Sequence, residues 1–316
     1  LHRVDRRQRQ MCIRDRTHRA DVADLIYFRA IARHRSFSRA AIEIGVSASA
    51  LSHALKGLES RLGVRLLNRT TKSVTLTTAG EALIEAIGQP LEAIDEALET
   101  LNRFRDTPSG RIRINAAVEA ANLLLAPILP GFMDRYPDVE LDIVASNRLV
   151  DVTDAGFDAG IRYGGTVPED MVARRLSADI RWVIAASPDY LERNGSPEHP
   201  DDLLNHRCIS NRLGDDRVYR WELERDGEAL QIAVPTSVTV DHAETGLVAV
   251  LGGAGLMYFP EPLVAPYVNA GRLRLLLTEW APLEEGFHIY YSSRRQLPTG
   301  LKLLIEYIRE IKPLGY

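Results

Sequence analysis

Ser47, Ser49, Ser52, His53 and Lys56 fall on the polar side of a stretch whose leucines, Leu51, Leu55, Leu58 and Leu62, recur at spacings of four, three and four. Hydroxyl, imidazole and ammonium groups aligned on one helix face suit hydrogen bonding to base edges and phosphates. Shortly after come Arg65, Arg69, Thr70, Thr71, Lys72 and Ser73, a short, basic, hydroxyl-rich segment suited to backbone phosphates. Bond-making chemistry is not visible. There is no HExxH, no phosphate-loop motif and no paired-cysteine motif. Leu251–Gly255 (LGGAG) ends a helical pattern instead of opening one after a strand, and no nucleophile-elbow pattern occurs. No enzyme activity, cofactor or metal site is expected. Two cysteines, Cys12 and Cys208, exclude a disulfide scaffold. They leave a reducing, cytoplasmic setting as the default.

The elements that must position the polar face follow from spacing. Leu25, Phe28, Ile31 and Ala32 mark one face of a first helix. Ser36 or Ser38 can cap a second, with Ala40, Ala41 and Ile44 as its small and apolar positions and Arg39 on its polar side. Gly45 ends it, Ser47 caps the third helix and Gly63 stops that one. Two helices joined by a short glycine turn make a helix-turn-helix, whose second helix presents its first residues to the major groove. Ser47, Ala48, Ser49, Ser52, His53 and Lys56 are therefore candidate DNA contacts, with Ser36, Ser38 and Arg39 beside them. The alternation of Val64, Leu66, Leu67, Val74 and Leu76 around Asn68–Ser73 predicts a β-hairpin wing.

Thr77 or Thr78 can cap a helix reaching about Arg105, roughly 29 residues or ~43 Å. Leu83, Ile87, Leu91, Ile94, Leu98 and Leu101 form a coiled-coil-like seam along it. Burying six such side chains per chain at ~1.5–3 kcal/mol each can outweigh an association cost of ~4–15 kcal/mol, so a homodimer is expected. The alternative is packing onto the protein's own C-terminal domain. Gly88 and Pro90 predict a bend or break near Ile87–Pro90.

The chain has 316 residues, 45% hydrophobic and 26% charged, ordinary for a globular protein of two or three domains. Its longest uncharged stretch, Thr245–Pro260, is interrupted by Gly and Pro and too short to span a bilayer, so no membrane association is expected. The net charge of −4 is unevenly spread: residues 1–16 carry +4, 17–80 carry +6, 81–106 carry −5 and 107–316 carry −9. A basic head on an acidic body fits a polyanion-binding module joined to another kind of domain. Residues 1–16, with six Arg, read as an unstructured and non-native tail or a nucleic-acid arm.

Residues 25–83 closely resemble the winged helix-turn-helix of LysR-type transcriptional regulators. The resemblance is carried by SFSRAA, the GVS turn, SALS, LE-RLGV-LL-R and the LT-AG ending. The chain departs from that pattern at Ala48, His53 and Ala54, which bears on the operator sequence and not on the fold. The resemblance implies that the long helix is a dimerisation linker. It further implies that two dimers form a homotetramer that bends promoter DNA, and that an effector alters the bend. A dimer would present two recognition helices to an interrupted palindrome in double-stranded DNA. RNA polymerase is a further candidate partner.

Beyond the DTPSG linker at 106–110, strands and helices alternate, which predicts a mainly parallel α/β arrangement. LVDVTDAGF reads as a short helix between strands, and AANLLLAPILPGFMDRYP as a longer one ended by Tyr136–Pro137. The chain is expected to leave one lobe near Asp179–Arg181 and return near Tyr291–Arg294. Lobe one then spans roughly 111–180 and 291–316, and lobe two roughly 181–290. Two lobes joined by two crossings make a cleft that can close on a ligand. This region, through LAP-LP-F--RYP-V-LD, LVDV---GFDAGIR-G, HP-DL--HRC and SRR-LP, also resembles the family's effector-binding domain, a periplasmic-binding-protein type II fold. The whole is thus read as an α+β multidomain chain. A tail (1–16) precedes a winged helix-turn-helix (20–78), a linker helix (79–106) and a two-lobed effector domain (111–316). Candidate effector contacts, where strands end and helices begin, are Glu119, Ala120, Asn122, Ser146, Asn147, Arg162, Tyr163, Asn211, His242 and Glu244. In the family the position of Glu119 is commonly Ser or Thr. A carboxylate there implies a neutral or cationic effector, or a residue that caps its own helix. Arg162 is read as pairing with a ligand anion or with a nearby carboxylate.

Overall fold

The computed structural model describes residues 19–69, 73–99, 108–292 and 297–316. The chain divides into two compact units, Leu1–Thr100 and Leu101–Tyr316. The reading of residues 1–16 as a tail lies outside the described residues.

In the first unit α1 (Arg19–His34), α2 (Phe37–Ile44) and α3 (Ala48–Leu62) close around Phe28, Ile31, Leu51 and Leu55. Ala40 and Ala41 are buried, so the helix backbones approach closely. The caps are local and unambiguous. Ser36 Oγ accepts from the Arg39 N–H, and Ser47 Oγ from the Ala50 N–H. Gly45 and Gly63 end α2 and α3 at φ 75° and 73°, where a side chain would be strained. β1 (Leu67–Arg69) and β2 (Val74–Leu76) form the antiparallel wing, with Leu67 opposite Leu76 and Arg69 opposite Val74.

α4 (Thr78–Glu99) starts at Thr77, whose hydroxyl accepts from the Gly80 N–H at 3.0 Å and donates to the Arg65 carbonyl at 2.7 Å. Of the bend or break expected near Ile87–Pro90, the break does not form: the helix runs through Pro90. The carbonyl deprived of its donor belongs to Ala86, an exposed residue, so water can take it. The seam is also divided. Leu83 and Ile87 pack against the core of their own winged unit, and Leu91 is buried. Ile94 and Leu98 are 48% and 62% exposed. Leu83 and Ile87 therefore cannot contribute to a partner as freely as a six-residue seam requires. Leu101 lies outside the described residues.

The second unit contains a five-stranded and a six-stranded sheet. Lobe one is ordered β4-β3-β5-β15-β6, from β3 (Gly110–Ala116), β4 (Val139–Ala145), β5 (Ala159–Tyr163), β6 (Met171–Arg175) and β15 (Phe287–Ser292). Lobe two is ordered β11-β8-β12-β7-β13, from β7 (Ile180–Ala186), β8 (Cys208–Asn211), β11 (Thr236–Val240), β12 (Leu256–Pro260) and β13 (Arg274–Leu276). The sheets are mixed, not mainly parallel. β3, β4 and β5 run parallel, as do β8, β11 and β12, but β15 and β7 enter antiparallel. The return to lobe one falls before Phe287, earlier than residue 291. Phe287, Ile289 and Tyr291 alternate into the lobe-one core, which fixes that strand in place. A hairpin, β9 (Trp221–Arg225) and β10 (Glu228–Ile232), and a short β14 (Leu283–Glu284) on β7 complete lobe two.

α5 (Val118–Ala120) continues through a wide turn (Ala121–Leu125) and a tight one (Ala126–Ile128) into α6 (Leu129–Arg135). Pro127 and Pro130 lack the N–H groups a uniform helix needs. The segment 149–157 forms turns instead of the expected helix, because Asp151 Oδ1 accepts from the N–H groups of Thr153 and Asp154. In lobe two α7 (Pro188–Asn194), α8 (Ala243–Leu251) and α9 (Glu261–Asn269) flank the sheet. α10 (Thr299–Ile311) lays Leu301, Leu304, Ile305 and Ile308 on lobe one.

Candidate nucleic-acid interface and interlobe site

Three of the side chains expected to meet DNA share one surface. Ser49, His53 and Lys56 are exposed at i, i+4 and i+7 of α3. Ser38, Arg39 and Arg65 are also exposed, and so is Ser73 in the wing. Ser36 and Ser47 serve as caps, and Ser47 Oγ additionally shares a 2.9 Å hydrogen bond with Ser49 Oγ. Ala48 is partly buried and packs against the core. Thr71 and Lys72 lie outside the described residues.

Arg69 and Ser52 take a different place from the one their position suggests. Arg69 Nη1 donates to Ser52 Oγ at 3.3 Å, Nη2 donates to Glu59 Oε2 at 3.2 Å, and the guanidinium lies 4.9 Å over the Phe37 ring. Glu59 Oε1 accepts in turn from the N–H groups of Leu66 and Leu67. One carboxylate thus ties the recognition helix to the first strand of the wing, and Arg69 neutralises it. Arg69 is thereby built into this assembly. Glu59 and Phe37 are the organisers that helical spacing did not single out. The only local hint was an acidic residue next to a hydrophobic stripe in an otherwise basic segment.

The second candidate site lies where the two lobes of the second unit meet. Asn147 bridges it: its Oδ1 accepts from the Val118 N–H at 3.0 Å, and its Nδ2 donates to the Asp241 carbonyl at 3.1 Å. Asn122 on lobe one donates to Glu244 Oε1 on lobe two at 2.5 Å. Glu119 and His242 flank this pair. Burial pushes the Glu119 carboxyl above its ordinary range and Glu244 adds to the rise, while a hydrogen bond from its own backbone N–H, His242 and Arg162 oppose it.

Arg162 is buried and held by oxygen acceptors alone. Nη1 donates to the carbonyls of Ile161 (2.8 Å) and Asn115 (3.2 Å), and Nη2 to the Arg148 carbonyl (3.1 Å) and Asn115 Oδ1. Among the described residues it has no carboxylate hydrogen-bonded to it, so the expected ion pair is replaced by a carbonyl cradle. Burial lowers its pKa, while Tyr290 and Glu119 favour the charge. Tyr163 packs its ring 4.5 Å from Phe287 and 5.5 Å from Trp182, and its buried hydroxyl has no hydrogen-bond partner. Burial drives that phenol well above its usual pKa, reinforced by Glu119, Glu244 and Tyr219.

The structure therefore gathers Glu119, Asn122, Asn147, Arg162, Tyr163, His242 and Glu244. Ala120 is fully buried in the lobe-one core and offers no side chain. Ser146 closes a local turn by accepting from the Arg148 N–H, and Asn211 donates within its own sheet to the Tyr258 carbonyl. Sequence reasoning missed the aromatic wall of lobe two, where Trp182 stacks 5.2 Å from Tyr258 and lies 6.3 Å from Tyr219. Among the described residues no group of three or more His, Cys, Asp or Glu side chains could hold a metal ion, and no helix is long and apolar enough to cross a membrane.

Comparison with known proteins covers both units. Residues 22–81 match the model of the bacterial regulatory helix-turn-helix protein, lysR family, and residues 105–312 that of the LysR substrate binding domain. The chain is 39% identical to the HTH-type transcriptional regulator YcaN of Escherichia coli K12, across 92% of this chain and 95% of that protein. It is 35% identical to the HTH-type transcriptional regulator PgrR of the same organism, across 92% and 98%. Among solved structures, CrgA from Neisseria meningitidis aligns with a TM-score of 0.58 at 28% identity, covering 93% of this chain and 99% of that one. Full-length AphB of Vibrio cholerae aligns with a TM-score of 0.66 at 23% identity, covering 92% and 99%, a likeness of fold.

Proposed function

This chain belongs to the LysR family of transcriptional regulators, with a helix-turn-helix DNA-binding unit and a substrate-binding domain, and on that premise we propose that a small molecule held between its two lobes modulates its grip on promoter DNA. It is a regulator and not an enzyme. The observation that carries the reading is the division of labour on α3. Ser52 is engaged with Arg69, while Ser49, His53 and Lys56 stand exposed on one face of a helix whose wing is already locked. Such a face enters a major groove without rearrangement, with Ser49 and His53 toward base edges and Lys56 toward phosphate.

A homodimer formed through the exposed end of α4, where Ile94 and Leu98 lie, would present two such faces to an interrupted palindrome. Assembly of two dimers into a homotetramer, DNA bending and contact with RNA polymerase extend the same reading. The lobes of the second unit already touch through Asn122 and Asn147, so a ligand that prefers the joined or the parted arrangement shifts that balance by its differential affinity.

Footprinting on the intergenic DNA beside the gene, with and without candidate metabolites, tests the proposal. A protected, two-part site whose extent or hypersensitive positions change with one metabolite is the expected result. Affinity for duplex should fall linearly in log–log form with salt. A chain that ignores every duplex at low salt overturns it.

A further inference from the structure

The interlobe site holds more buried acceptors than its own donors satisfy. Glu119 comes from lobe one and Glu244 from lobe two. Among the described residues neither carboxylate is ion-paired with Lys or Arg. Glu244 Oε1 takes the Asn122 amide, but Oε2 is buried without a partner. The Tyr163 hydroxyl is equally buried and unpartnered, within electrostatic reach of both carboxylates. An unsatisfied buried oxygen costs about 1–3 kcal/mol, more when charged, so Glu244 Oε2 and the Tyr163 hydroxyl, with the buried Glu119 carboxyl beside them, mark a place built to receive a hydrogen-bonding partner.

We propose that the cleft takes a small organic ammonium ligand, its N–H groups shared by Glu119, Glu244 Oε2 and the Tyr163 hydroxyl, and its apolar part laid against Trp182 and Tyr219. This rests on the reading that a small molecule binds between the lobes, and it names the class. An ammonium carries N–H donors for Glu244 Oε2 and the Tyr163 oxygen, and a charge that the two carboxylates attract. Trp182 is half-buried beside Tyr163, Tyr258 and Tyr219, and aromatic faces draw cations. An anion would meet both carboxylates, while Arg162 already donates to four oxygens and keeps only Nε free. Because the carboxylates come from opposite lobes, the cation would hold the lobes together and relieve their repulsion.

Thermal melts of the full chain decide the matter, with phenethylamine, agmatine and putrescine set against hydrocinnamate and phenethyl alcohol at millimolar concentration. At least one amine should raise the Tm, and hydrocinnamate should not. Glu119→Gln and Glu244→Gln should each weaken that amine about tenfold, and the double variant should abolish the shift. Trp182→Leu should weaken phenethylamine more than putrescine. The Gln variants keep side-chain size and remove repulsion, so unliganded melts at or above the wild-type Tm establish that they fold. Stabilisation by hydrocinnamate or phenethyl alcohol that survives the double variant overturns the cationic class and leaves the small-molecule reading standing. Silence from all three amines overturns it as well. The broader reading stands or falls separately, on whether any metabolite changes the footprint.

Discussion

The winged unit and the interlobe site of the second unit treat buried charge in opposite ways. In the winged unit the half-covered carboxylates are answered by basic partners. Asp24 pairs with Arg61, Glu43 with Arg33 and His34, and Glu59 with Arg69. In the interlobe site Glu119, Glu244 and Arg162 stand near one another with no ion pair of that kind, and two oxygens and one guanidinium nitrogen have no partner at all. The first arrangement spends its polar groups on shape, so that a separate exposed face can meet DNA. The second is left incomplete, as a site must be if something is to arrive there. A buried pair broken on one side is destabilising, whereas an unfilled site is soft until it is filled.

The contrast can be broken most forcefully at Glu59. Glu59→Ala leaves Arg69 and the N–H groups of Leu66 and Leu67 without their acceptor, and should cost about 3 kcal/mol in urea unfolding. A cost below about 0.5 kcal/mol would show that the network is ornamental. Next in size, Lys56→Ala should leave stability unchanged yet weaken all duplexes and reduce the salt slope by about one, while His53→Ala should alter preference among operators. Arg69→Ala should instead lower the unfolding midpoint along with DNA affinity. Identical profiles for Lys56→Ala and Arg69→Ala would erase the distinction between contact and positioning residues.

A smaller effect separates the interlobe site by pH. The folded-state pKa of Glu119 is raised, so its contribution to stability is present below the ordinary carboxylate value and is lost as pH rises through the raised one. Glu119→Gln should therefore raise the Tm near neutrality and lose that advantage toward pH 4, with Glu244, His242 and Arg162 as the charged groups facing it. A gain that does not vary with pH would mean repulsion is not the cause. The smallest expected effect is at Cys208, buried at the start of β8, whose thiol is pushed up to about 12 by burial. In a Cys12→Ser background, a disulfide reagent should label no thiol until the chain is unfolded. Rapid labelling of the native protein would show that lobe two opens more readily than its packing implies.

How far the residues could be read in advance follows the same division. Ser36, Ser47, Gly45 and Gly63 act on neighbours three to five positions away, and these caps stand where spacing puts them. The apolar stripe on α4 was equally visible, but not that its first members, Leu83 and Ile87, pack inward while Ile94 and Leu98 face outward. Periodicity defines a stripe; what covers it is decided by whichever element folds back. The mixed sheets were hidden for a similar reason. A strand's pattern states that its faces are buried, and says nothing of the direction in which its neighbour runs.

Local propensity thus determined this protein's helices, caps, turns and charge imbalance, together with the resemblance that named its family. Tertiary structure alone decided which charges found partners. Asn122 meets Glu244 across 122 positions of chain, Arg162 reaches Asn115 across 47, and Arg69 reaches Ser52 across 17. Capping and helical periodicity operate within a turn or two of the backbone, whereas hydrogen bonds and ion pairs fall away over a few ångströms of space and are blind to sequence separation. Whether a side chain contacts DNA, locks a wing or waits in a cleft is therefore settled only when distant segments close on it.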